Sequence, residues 1–251
     1  MPGRNYKALF SSDWSECLSP SGPFDPITFN YPELREELAS IFRLYTSNQI
    51  SLSEAAQKVK GLLPGPIGQE QMDSYLAAHF KTYKGLPQLI DWCHQNGVLF
   101  MINTTAAIGF FQRVFALGFL PRVQALSGHP LIRYPGLDSD PPHIFELMEI
   151  EDKPKNTQAV SRLFNIPPRK IIIMGDSGGD GPHFEWGARV GALLIGSMTK
   201  QSLQLYCQKR DIKIDHYFGL TYEAGQDRDV EKEMEFDFFE LAAIIEERIS
   251  G

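Results

Sequence analysis

The sequence predicts a doubly wound α/β fold, a parallel sheet with helices on both faces and a smaller helical segment set into it. Three observations carry this expectation. Short apolar runs at residues 6–10, 98–102, 170–174 and 192–195 are too short for helices and have the continuous character of strands buried on both faces. Between them, apolar residues return at helical spacing. Polar residues gather just after the runs, at the carboxyl ends of the strands, where open α/β sheets bind ligands.

Taken in order, the first run stops at Ser11-Ser12-Asp13, and the Pro-rich stretch 19–26 (SPSGPFDP) reads as a linker. Leu34, Leu38, Ile41, Phe42 and Tyr45 mark a helix. Ser51-Leu52-Ser53-Glu54 is a capping box opening a second helix through Ala55 and Val59. Beyond a Pro/Gly break at 63–68, Met72, Tyr75, Leu76 and Phe80 mark a third. Residues 19–84 are therefore expected to form a small helical cap domain, and residues 1–18 with 85–251 the α/β core.

Within that core, Leu86, Leu89, Ile90 and Cys93 share one helix face, which Gly97 is placed to end, and Phe110, Val114 and Leu117 mark the helix after the second run. Residues 126–147 read as irregular with short strands. A helix through Val160, Leu163 and Phe164 leads into the third run. The acidic tail, 227–249, ends in a helix with Phe238, Leu241, Ile244 and Ile245 on its apolar face, its charges read as a solvated surface.

Composition narrows the function classes. In 251 residues, 43% are hydrophobic, an ordinary share that can bury a sizeable interior. No stretch approaches the roughly 20 apolar residues of a membrane span, and residues 1–7 lack the apolar segment of a signal peptide. The expectation is a soluble cytoplasmic protein with no membrane partner. Cys17, Cys93 and Cys207 are widely spaced and form neither a disulfide framework nor a zinc pattern. A net charge of −7 argues against nucleic acid, whose backbone needs clustered Lys and Arg. It leaves room for a phosphorylated ligand, because a bound divalent metal supplies local positive charge.

Four strand-end features need a common explanation: Ser11, Asp13 and Ser15; Thr104; Lys153; and Asp176 with Asp180 in Gly175-Asp176-Ser177-Gly178-Gly179-Asp180. Each has a plain competitor. Asp176 and Asp180 suit the start of a helix near Pro182, Thr104 suits a strand end, and Lys155 stands two residues from Lys153. His129, His143 and His183 lack metal-ligand spacing and read as packing or surface groups. Asn103-Thr104-Thr105 matches the glycosylation pattern by chance at a buried strand end. Trp14 suits either packing under the cap or shaping a pocket.

As a set, these residues resemble the haloacid dehalogenase superfamily, whose core is Rossmann-like and most of whose members are magnesium-dependent phosphatases. The nearest likeness is to the phosphoserine-phosphatase-like branch, which carries a small helical cap after the first strand. The family pattern is Asp-x-Asp-x-Thr, then Thr or Ser, then Lys, then Gly-Asp with a second acid. The resemblance implies Mg²⁺ as cofactor, with Asp176 as a ligand, Asp180 as a ligand or the partner of one, and Asp13 giving its main-chain carbonyl. Hard carboxylate oxygens suit that ion, which neutralises a phosphate dianion that would repel an attacking anion. It further implies that the Asp13 side chain is the general acid/base, that Thr104 donates to the phosphoryl oxygens, and that Lys153 offsets their charge. Gly178 and Gly179 would let the backbone turn between the two acids.

On this alignment Ser11 stands where the family has its nucleophilic aspartate, and three readings follow. Either Ser11 or a water activated by Asp13 still hydrolyses a phosphate ester, or the protein only binds a phosphorylated metabolite or a protein partner, or the register shifts so that Asp13 is the nucleophile and Ser15 the residue two places on. Phe10, as the last apolar residue of the run, argues against the shift. The substrate expected is a small phosphorylated metabolite chosen by cap residues between Tyr31 and Phe80.

Overall fold

The computed structural model describes residues 5–46 and 49–250; the parts of the expected core and cap at 1–4, 47–48 and 251 lie outside the described residues. Strand β1 (Ala8–Ser12) is followed by the helices α1 (Asp25–Asn30), α2 (Arg35–Thr46), α3 (Leu52–Leu62) and α4 (Gln69–His79). Alternation then sets in: α5 (Leu86–Asn96), β2 (Val98–Ala107), α6 (Ile108–Ala116), β3 (Ala125–His129), β4 (His143–Glu146), α7 (Asp152–Leu163), β5 (Ile171–Gly175), α8 (Gly181–Val190), β6 (Leu193–Lys200), α9 (Gln201–Gln208) and β7 (His216–Tyr222). The short α10 (Val230–Glu233) and α11 (Leu241–Ser250) close the described chain.

The seven strands form one sheet in the order β4-β3-β2-β1-β5-β6-β7, and every neighbouring pair is parallel. From β1 the chain steps outward to β4, then returns to β5 on the other side of β1. That reversal opens a crevice at the carboxyl ends of β1 and β5, the switch point where such sheets bind ligands. Alternation along β1 sends Ala8 and Phe10 into the apolar layer shared with α5, α6, α11 and the inserted helices, and Leu9 into the layer shared with α7, α8 and α9.

Local signals explain the boundaries. The capping box at Ser51 and Glu54 is formed, with both reciprocal hydrogen bonds present, and α5 ends at Gly97 in the left-handed conformation (φ 76°). Three expectations need correction. Strand β1 runs to Ser12 rather than stopping at Phe10, β6 extends to Lys200, and β7 had no counterpart in the sequence reading. β7 lies at the sheet edge and is mostly half-exposed, so it lacks the apolar run that marks an inner strand. No helix among the described residues is long and apolar enough to cross a membrane.

Candidate active site

At the switch point the structure gathers Asp13, Thr104, Lys153, Asp176 and Asp180, supplied by the loop after β1, the end of β2, the first turn of α7 and the turn after β5. The carboxylates of Asp13, Asp176 and Asp180 each offer an oxygen within 4.8 Å of the others. Lys153 is 1% exposed, and its Nζ lies 2.6 Å from Asp180 Oδ1 and 3.2 Å from Asp13 Oδ1. Burial disfavours its charge, but Asp13 and Asp180 outweigh that and hold it well above the ordinary lysine value. Lys155 is exposed and pairs with Asp152, which decides between the two lysines. Burial raises the carboxyl of Asp13, against the opposing pull of Lys153 and of a hydrogen bond from Thr104.

Asp180 is a positioning group. Its Oδ1 takes Lys153 and its Oδ2 accepts the main-chain N–H groups of Asp176 (3.0 Å) and Ser177 (3.3 Å). Both oxygens are thereby occupied, an arrangement that suits the partner behind a metal ligand. Gly175 makes this possible: a Cβ there would lie 2.4 Å from the Asp180 carboxyl carbon. The turn at Gly178 and Gly179 is an ordinary 3₁₀ turn (Gly178–Asp180), and neither glycine takes a positive φ, so the close approach is at Gly175 instead.

Ser11 does not stand at this cluster. It is fully buried inside β1, level with Met101 of β2 and Ile173 of β5. Its Oγ lies 2.9 Å from Thr157 Oγ1 and accepts a longer bond from Asn103 Nδ2 (3.4 Å). Asn103 Nδ2 also donates to Thr157 Oγ1 (2.9 Å) and to the carbonyl of Lys153 (2.8 Å), and His183 Nε2 lies 2.9 Å from Thr157 Oγ1. Burial first, then the Lys153 charge, pushes His183 down to about 3, so this layer is neutral. Thr157 sits one helical turn beyond Lys153 on α7, which places Ser11 one layer deeper than the acids. The strand outlasts Phe10 because these partners absorb Ser11, while Ser12 Oγ donates to the Asp13 carbonyl (2.7 Å). Asp13, with its N–H on the Met174 carbonyl (3.0 Å), is the first carboxylate past the strand.

The donor set fits a hard divalent cation. Asp176 Oδ1 is buried without a partner, while Asp13 Oδ1 and Asp176 Oδ2 face only the ammoniums of Lys153 and Lys200, and burial, outweighing Lys200, pushes Asp176 up to about 7, with Asp180 and Asp13 adding to the rise. Unpaired buried carboxylate oxygens are costly, and oxygen ligands of this kind are what magnesium takes. The main-chain carbonyl of Asp13, expected to reach the metal, accepts from Ser12 (2.7 Å) and keeps a second lone pair.

The sequence reading missed a chain of ions beside the acids. Lys200, at the end of β6, places Nζ 2.8 Å from Asp176 Oδ2 and against Glu16. Glu16 also pairs with Arg228 Nη1 (2.9 Å), and Arg228 with Glu233. Glu233 is fully buried and accepts from Tyr83 (2.6 Å) and Tyr222 (2.8 Å), so the tail is not a purely solvated surface. Glu16 has φ 60°, a left-handed backbone that a glutamate adopts only when held; its two cations hold it. Trp14 is buried against Phe80, Phe110 and Phe111, and together with Ser15 it also lines a cleft under the inserted helices. None of the histidines joins the acid cluster.

No family sequence model matches the chain, and no curated protein matches it. Solved structures do. Phosphoserine phosphatase, as its phospho-aspartyl intermediate analogue, superposes with a TM-score of 0.65 over 95% of this chain and 99% of that one, at 16% identity. A HAD family hydrolase from Salmonella enterica subsp. enterica serovar Typhi gives 0.65 over 96% and 72%, at 14% identity. Cytosolic 5'-nucleotidase IIIB bound to cytidine gives 0.56 over 97% and 88%, also at 14%. The chain therefore has the haloacid dehalogenase-type fold that these structures share.

Proposed function

We propose that the protein is a magnesium-assisted phosphatase of small phosphorylated metabolites, in which Asp13 rather than Ser11 is the attacking carboxylate and residues 19–84 act as the cap. The observation that carries this is the meeting of Asp13, Asp176 and Asp180 around a buried lysine, with Asp176 Oδ1 left without a partner. Held by Asp13, Asp176 and the Ser15 main-chain carbonyl, a magnesium ion would neutralise the phosphoryl oxygens. An oxygen of Asp13 attacks phosphorus, the ester P–O bond breaks, and its electron pair leaves with the alcohol oxygen. Lys153 favours the ionised form of Asp13 and, with Thr104, offsets charge on the phosphoryl group. Water then cleaves the phospho-aspartate, releasing phosphate and restoring Asp13.

Ser15 falls at the acid/base position of this register. Its hydroxyl is too weak an acid to protonate an alkoxide efficiently, so esters of weakly basic alcohols turn over fastest. A second reading has one observation in its favour: the Lys200 ammonium on Asp176 supplies a fixed positive charge, which suits a protein that binds phosphate without turnover. Phosphate release from a panel of phosphate monoesters with magnesium, by wild type and Asp13→Asn, separates them. Release by wild type and none by the variant is expected. Release that survives Asp13→Asn removes the Asp13 assignment, and an inert wild type that still binds phosphate favours the second reading.

A further inference from the structure

Near the acids the inserted helices border an open cleft, walled by Phe24, Ile27, Phe42 and Leu131 among others. A second cleft, bordered by Trp14 and Ser15, adjoins the first and shares Pro23, Ala107 and Ile132 with it. Tyr45 joins the two environments. It lines the cleft, and its hydroxyl feels Lys153, Asp13 and Asp180.

No Asp, Glu, Lys or Arg borders either cleft among the described residues. A substrate whose leaving group carries an ammonium and a carboxylate, as phosphoserine does, would bury both charges unpaired. The likeness of fold to phosphoserine phosphatase thus does not extend to the chemistry of this wall. One polar side chain does face an unmet need. His129 is 5% exposed and lines the cleft; its Nδ1 accepts the Leu131 N–H (3.0 Å), which leaves the proton on Nε2, and Nε2 has no partner.

We propose that this cleft receives the leaving group of the substrate, and that this group is an uncharged, predominantly apolar alcohol, aromatic or branched, with one hydrogen-bond acceptor for His129 Nε2–H. The proposal rests on the reading of Asp13 and its neighbours as a phosphate site, and deepens it by naming the substrate class.

Binding to full-length Asp13→Asn, measured by calorimetry with magnesium, tests this without interference from leaving-group reactivity. The ligands are benzyl phosphate, 4-acetylbenzyl phosphate, O-phosphoserine and glucose 6-phosphate, with inorganic phosphate as the reference. Benzyl phosphate should bind at least about tenfold tighter than O-phosphoserine or glucose 6-phosphate, the worth of roughly two buried methylenes. The acetyl group should add about threefold or more, and His129→Phe should remove that increment while leaving benzyl phosphate unchanged. Ala56→Glu, which places a carboxylate on the partly exposed cleft face of α3, should erase the preference without weakening inorganic phosphate. Equal affinities across the esters, or a preference for the charged ones, would overturn the substrate class. Failure of inorganic phosphate to bind would instead strike the phosphate site. In that case 4-acetylbenzyl alcohol alone decides: chemical-shift changes at cleft residues that vanish in Ala56→Glu support the cleft, and their absence refutes it.

Discussion

Two polar layers lie one turn of α7 apart, both fully or almost fully buried, and they meet the cost of burial in opposite ways. The deeper one, Ser11, Asn103, Thr157 and His183, is neutral and closed upon itself by hydrogen bonds; only Asn103 Oδ1 and His183 Nδ1 in it lack partners. The upper one, Asp13, Lys153, Asp176 and Asp180, is charged and laced by ion pairs, and Asp176 in it keeps one oxygen, Oδ1, without a partner. A neutral orphan costs on the order of 1–3 kcal/mol and is tolerated, whereas an orphaned carboxylate costs more and asks for a cation or a ligand. The comparison teaches that position along the strand does not by itself mark a residue for chemistry; the charge around it has to be read as well.

The sharpest way to break the comparison is to exchange the chemistries of Ser11 and Asp13. Asp13→Asn should lower phosphate release by at least about 10³-fold with the fold retained by circular dichroism. Ser11→Asp, which forces a carboxylate among neutral partners, should cost about 3–5 kcal/mol in urea unfolding. Combined with Asp13→Asn it should rescue nothing, and any rescued turnover would return Ser11 to the reacting position. Ser11→Ala should cost only about 1 kcal/mol and leave turnover within about twofold of wild type.

Ser15→Asp tests the upper layer from its edge. A carboxylic acid there should raise turnover of alkyl phosphates by about 10²-fold and leave aryl phosphates, whose leaving oxygens need little protonation, nearly unchanged; a uniform effect on both would refute the role.

A third measurement follows His183, held neutral down to about pH 3 against about 6.5 in the unfolded chain. Its folded value is depressed, so the unfolded state binds the extra proton, and stability is lost as pH falls from about 6.5 toward 3. Urea midpoints should show that decline with a slope approaching about 1.4 kcal/mol per pH unit from this group, and His183→Gln should flatten it. A fourth measurement is at Lys200. Lys200→Met frees Asp176 of its ammonium and should tighten Mn²⁺ binding, read by electron paramagnetic resonance, by about tenfold. An unchanged affinity would show that the ammonium and the metal do not compete.

The alternating strands and helices were legible because inner parallel strands are continuously apolar, and Thr104, Lys153 and Asp176 were legible because strand ends and helix starts carry them. The end of β1 was not. Ser11 and Ser12 read as loop residues, and only partners distant in sequence, Asn103, Thr157 and His183, make Ser11 a comfortable interior group. Lys200 and Arg228 were missed for the same reason, since each reads as a surface charge until the fold brings it to Glu16. His129 was read as a packing or surface residue, and what singles it out is an unsatisfied ring nitrogen that only the folded structure reveals.

The relay from Asp176 through Lys200, Glu16 and Arg228 to Glu233 spans the loop after β1, the end of β6 and the tail. Its practical consequence concerns any shortened version of the chain. Cutting before residue 227 would remove Arg228 and Glu233 together, leaving Glu16 in a left-handed backbone with one cation and the Tyr83 hydroxyl without its acceptor. A fragment trimmed to the sheet and its covering helices would therefore fold around a loosened first loop, and its inactivity would report the missing tail rather than the chemistry of Asp13.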